Sequence, residues 1–98
     1  GYDHNWVIDR KTESGIEQVA TVWEPASGRT IEVLSDQPGL QVYSGNFFDG
    51  KSIGKYGKPQ RYRESLALET QKFPDSPSTV LRPGETYTQV CIYKFGVK

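Results

Sequence analysis

The feature that most limits what this chain can fold into is the period of its apolar residues. Short runs alternate apolar and polar positions between turn signals, and no stretch sustains the 3.6-residue repeat of a helix. EQVATVWE, 17–24, puts Val19, Thr21 and Trp23 on one side and Gln18, Ala20, Val22 and Glu24 on the other. PASG, 25–28, connects it to RTIEVLS, 29–35, so the two are expected to form a hairpin. SDQPG, 35–39, is a second turn, leading into the strand LQVYS, 40–44, while NFFDG, 46–50, ends at Gly50. Residues 51–64 hold Gly, Pro and charge without a period and read as an exposed loop. A strand containing Glu69 follows. RPGE, 82–85, is a tight turn, and TYTQVCIYKF, 86–95, is the clearest strand, with Tyr87, Gln89, Cys91, Tyr93 and Phe95 on one side. The fold class expected is all-β, an antiparallel β-sandwich or part of one.

Ninety-eight residues set one domain, or a fragment of one, as the natural limit, here spanning 1–98. The chain opens at GYDHNWVID, already strand-like, and is expected to be a piece of something longer. Lys+Arg and Asp+Glu are both 12, so no net field draws the chain to nucleic acid or anionic lipid. No apolar run approaches the ~20 residues of a membrane-spanning helix. Cys91 is the only cysteine, which excludes an intrachain disulfide or a cysteine-based zinc site. The single histidine, His4, argues against a Ser/His/Asp, Cys/His or metal-ligand cluster.

Glu69 stands in LALETQKFPDS, 66–76, where Leu66 and Leu68 share one face and Ala67, Glu69 and Gln71 the other. A carboxylate beside a core must be paired or functional, and burial would raise its pKa toward the range of a general base. The alternative is that this face simply meets solvent. Asp3 and His4 are adjacent in a strand and so point to opposite faces. One of them can bind a ligand, or both belong to a frayed end. Gln41 and Asn46 offer paired amide donors and acceptors suited to sugar hydroxyls, although turn chemistry explains Asn46 equally well. Trp6, Trp23, Tyr43, Phe47 and Phe48 can supply a platform for the C–H face of a sugar ring, but most are expected in the core. The Lys51–Arg63 loop carries five basic residues with Tyr56 and Tyr62 among them. Asp49 and Glu64 bracket it, which favours a solvated loop over a single-strand nucleic-acid site. GKSIGK, 50–55, is one residue short of a phosphate-loop spacing.

Four stretches together resemble the aldose 1-epimerase (galactose mutarotase) family. They are GYDHNWVID, SDQPGLQVYSGNFFDGK, LALETQKFPDS and STVLRPGETYTQVCIYKF, in the order of that family's C-terminal third. The resemblance implies part of a larger β-sandwich acting on a hexose such as galactose or glucose, with no metal or organic cofactor. It implies Glu69 as catalytic base and Asp3 and Gln41 as residues binding the sugar. His4 is not one of the family's catalytic histidines. The implied chemistry interconverts α and β anomers by ring opening. The family's general acid lies upstream of the part matched here, and without it the site forgoes much of the ~10²–10⁴-fold that one positioned acid or base contributes. FPDS also runs directly into PSTVLRPGE, where relatives carry a longer loop. The alternative is a non-catalytic carbohydrate-binding or interaction module. Absent upstream strands would leave a bare sheet edge, so self-association or completion by an N-terminal segment is expected.

Overall fold

The alternating runs become six strands in the computed structural model, which describes residues 1–76 and 79–98. They are β1 (Asp3–Val7), β2 (Glu17–Trp23), β3 (Arg29–Ser35), β4 (Gly39–Tyr43), β5 (Ala67–Gln71) and β6 (Cys91–Val97). Two antiparallel three-stranded sheets result, ordered β1-β4-β5 and β2-β3-β6. Apart from a 3₁₀ turn at Lys55–Gly57, the described residues contain no helix. The all-β sandwich is the fold the periodicity predicts. Pro77 and Ser78, which follow FPDS, lie outside the described residues.

The core sits between the sheets. Leu40 and Leu68 from the first sheet meet Val33 of the second, and Ile8, Val19, Ala20, Val22, Ile31 and Val42 pack around them. Val33 is directly across from Ala20 on β2 and Tyr93 on β6, which fixes the inner face of the second sheet. PASG turns as expected: the Glu24 carboxylate accepts from the amides of Ala26 and Ser27, each at 2.8 Å. Gly28 closes the turn at φ 78°, a conformation that suits a residue without a Cβ.

Arg10 ties the loop after β1 to the end of β3. Its side chain is 9% exposed, and the guanidinium donates to the carbonyls of Ser35 and Gln37, both at 3.0 Å, and of Thr12 and Gly15, and lies 3.1 Å from the Glu17 carboxylate. Asp36, one residue beyond β3, accepts from the backbone amide of Val90 at 3.2 Å. That bond anchors the entry to β6.

Three expectations require correction. Val19 is an extra residue in β2, because Gln18 pairs with Leu34 and Ala20 with Val33. This bulge changes the phase of the strand, so Val19, Ala20 and Val22 turn inward while Thr21 and Trp23 face out. The last strand begins at Cys91 rather than Thr86, since the Gln89 side chain and the Val90 amide are committed to β5 and Asp36. Finally, most of the aromatics expected in the core lie outside it. Trp6 is 53% exposed, Trp23 51% and Phe47 84%, while Tyr43 and Phe48 are half-buried. Trp6 sits on an edge strand, Trp23 is turned out by the bulge, and Phe47 lies in the turn beyond β4.

Candidate functional site

Strand alternation decides which side chains can meet on the first sheet. Gln41 pairs across the ladder with Asn5 on β1 and Glu69 on β5, giving a row of three polar residues on one face. The next row is Asp3, Tyr43 and Ala67. Leu40, Val42, Leu68 and Thr70 occupy the other face, toward the core. Asp3, Gln41 and Glu69, far apart in sequence, therefore share the outer face. His4 lies on the opposite face from Asp3, where its Nδ1 accepts from the Asp3 backbone amide at 3.2 Å.

Within this group the Gln41 amide nitrogen donates to the Asp3 carboxylate at 2.8 Å. Gln41 is half-buried, whereas Asp3 and Glu69 are exposed. The buried setting considered for Glu69 is thus not what these strands provide; its face meets solvent. The Glu69 side chain is exposed, and among the described residues no side chain hydrogen-bonds or ion-pairs with its carboxylate. Glu69 also lines a cavity of about 340 Å³ with Ile31, Leu66, Ala67, Leu68, Tyr93 and Phe95. Tyr93 reaches across from β6, and its hydroxyl donates to the Leu68 carbonyl.

Asn46 has a structural task. Its amide nitrogen donates to the Tyr2 carbonyl at 2.9 Å while its oxygen accepts from the Ser44 hydroxyl at 2.8 Å, binding the turn after β4 to the start of β1. Tyr43 faces the site beside Asp3, and Phe47 stacks on it with ring centroids 6.5 Å apart and planes at 20°. A half-buried Tyr43 with the exposed Phe47 stacked on it can cover the C–H face of a sugar ring.

Sequence reasoning did not single out Asn5. It is half-buried beside Gln41, and its Nδ2 is buried with no hydrogen-bond partner among the described residues. Gly39 makes room for it: a Cβ there would lie 2.6 Å from Asn5 Oδ1 and 3.1 Å from Phe73 Cδ1. The signal was present in DHNWV, where two-residue spacing puts Asn5 on the same face as Asp3.

The family model described as aldose 1-epimerase matches residues 1–94. The chain is 43% identical to "Galactose mutarotase" of Mus musculus and 41% to that of Homo sapiens, in each case over 99% of this chain and 30% of the relative. It is 35% identical to "Aldose 1-epimerase" of Escherichia coli (strain K12), over 97% of this chain and 29% of the relative. The chain thus spans about 30% of the length of the curated relatives it matches.

Proposed function

The chain belongs to the aldose 1-epimerase family, and from that premise we propose that it carries the base side of a site interconverting the α and β anomers of a hexose such as galactose or glucose. The observation that supports this best is the shared face: the exposed Glu69 lies across the ladder from Gln41, which is itself bonded to Asp3.

In this reading Glu69 takes the proton from the anomeric hydroxyl. The electrons of that O–H bond form the C1 carbonyl, and the bond from C1 to the ring oxygen breaks. The released pair on the ring oxygen takes a proton from an acid. Rotation about the C1–C2 bond and reversal of these transfers close the other anomer. Asp3 and Gln41 orient the sugar, a carboxylate accepting from hydroxyls and an amide both donating and accepting. Tyr43 and Phe47 lie against an apolar patch of the ring.

We assign no residue of this face as the acid. His4 is on the opposite side of β1, and in this reading the ring oxygen is protonated by water or by a group beyond these 98 residues. No metal or cofactor enters the steps.

Titration of ¹⁵N-labelled chain with galactose tests the site without requiring turnover. The Gln41 side-chain amide and the Glu69 backbone amide are expected to shift together, and Asp3→Ala to weaken the effect. Unchanged resonances at both positions would overturn the assignment. Shifts that persist in Glu69→Gln, with no catalysis by the unaltered chain, would favour the carbohydrate-binding module instead.

A further inference from the structure

Among the described residues β5 is an edge strand of the first sheet, paired on one side only, by β4. A free edge normally leaves its carbonyls to solvent or to another chain. Here two of them, one on each side of Glu69, are taken by side chains from the other sheet's closing segment. The Tyr93 hydroxyl donates to the carbonyl of Leu68, and Gln89 Nε2 donates to the carbonyl of Thr70 at 2.7 Å. Gln89 is held in turn, its Oε1 accepting from the Tyr87 hydroxyl at 2.6 Å. Tyr93 sits on the inner face of β6, across the ladder from Val33, so the sandwich itself aims its ring toward β5.

We infer that Tyr93 and Gln89 are positioning residues for Glu69: they clip the two peptide carbonyls flanking it and hold its side chain beside Gln41. The inference rests on the reading of Glu69 as the base. It adds two residues that touch neither Asp3 nor Gln41 and act through the backbone of β5. Partial burial pushes the Tyr93 phenol above its ordinary pKa, with the neighbouring Cys91 and the Glu69 charge adding to the effect. The phenol therefore keeps, across the neutral range, the proton that it donates to Leu68. A strand carrying a base on an unsecured edge would let the carboxylate wander, and a misplacement of about 1 Å can lower a rate by about 10²-fold.

The experiment compares the unaltered chain with Tyr93→Phe, which keeps the ring, and Gln89→Leu. Amide hydrogen exchange is followed at residues 67–71, with β2 and β3 as internal reference, and Glu69 χ1 averaging is read from three-bond couplings. Each variant is expected to speed exchange in 67–71 by about five- to tenfold relative to β2 and β3, the consequence of losing one hydrogen bond. The Glu69 couplings should move toward rotamer averages. Equal acceleration in all strands with unchanged couplings would overturn the inference, because loss of general stability produces that pattern. Mutarotation measured on the same samples separates the two claims. A fall in kcat at nearly constant KM supports both. Averaged couplings in a chain that leaves mutarotation at the buffer rate would support the clip and count against the catalytic reading.

Discussion

Gln41 donates its side-chain amide to the Asp3 carboxylate at 2.8 Å while standing directly across the strand ladder from Glu69. One neutral side chain thus separates two carboxylates that the fold brings to the same face. Gln41→Glu should turn this arrangement into three neighbouring negative charges. Like charges placed across a ladder are destabilising, each pair by on the order of 0.2–1 kcal/mol. Urea unfolding is expected to show a lower midpoint than for the unaltered chain at neutral pH. The difference should close as the carboxylates are protonated at acid pH. A midpoint that matches the unaltered chain at neutral pH and low salt would show that the three groups are not close.

Gly39 tests how tightly the same face is packed. Gly39→Ala sets a methyl group 2.6 Å from Asn5 Oδ1 and 3.1 Å from Phe73 Cδ1, so one of them must move. Overpacking of this kind costs about 1–3 kcal/mol. The double variant with Asn5→Ala should recover part of that loss, because neighbours sharing one space are not additive. Strict additivity in the cycle would mean that Asn5 does not lie over Gly39.

Acid should unfasten the links that hold the sheets' connections. Asp36 is lowered below its ordinary pKa, first by its bond from Gln37 and then by the Val90 amide. Glu17 is lowered by the Lys11 amide, then by the Thr12 hydroxyl and amide, with Arg10 adding a smaller effect. Each folded-state value lies below the unfolded one, so the stability they contribute is complete above the ordinary carboxylate range. It is lost as pH falls through the folded values. Unfolding midpoints of the unaltered chain and Asp36→Asn should differ most near neutrality and converge in acid. A difference independent of pH would contradict the link.

Much of the fold was legible because short alternating runs carry their own assignment. EQVATVW, RTIEVLS, GLQVY and ALETQ are strands for the reason their pattern suggests. The same pattern misled where a local event changed its phase. One unpaired residue, Val19, turns Trp23 from the expected core side to the surface. TYTQV, 86–90, alternates as well as any strand, yet its polar groups bond to β5 and Asp36 instead of to a ladder.

The site was less legible. Alternation within one strand sets the face of each side chain, but only the pairing of β1 with β4 and β4 with β5 brings Asp3, Gln41 and Glu69 together. Nothing in DHNWV specifies that β1 joins a strand more than thirty residues away rather than β2. Strand pattern and residue chemistry raised the three as candidates and family resemblance supplied their roles, whereas Tyr93 and Gln89 emerged only from the contact between sheets.

Mutarotation tests the proposed role of Glu69 as a base most directly. A freshly dissolved α-anomer of galactose would be followed by polarimetry with the unaltered chain, with Glu69→Gln and with buffer alone. The predicted result is acceleration over buffer by the unaltered chain and a return to the buffer rate in Glu69→Gln. Acceleration that survives the substitution, or a buffer rate from the unaltered chain at high concentration, would contradict it.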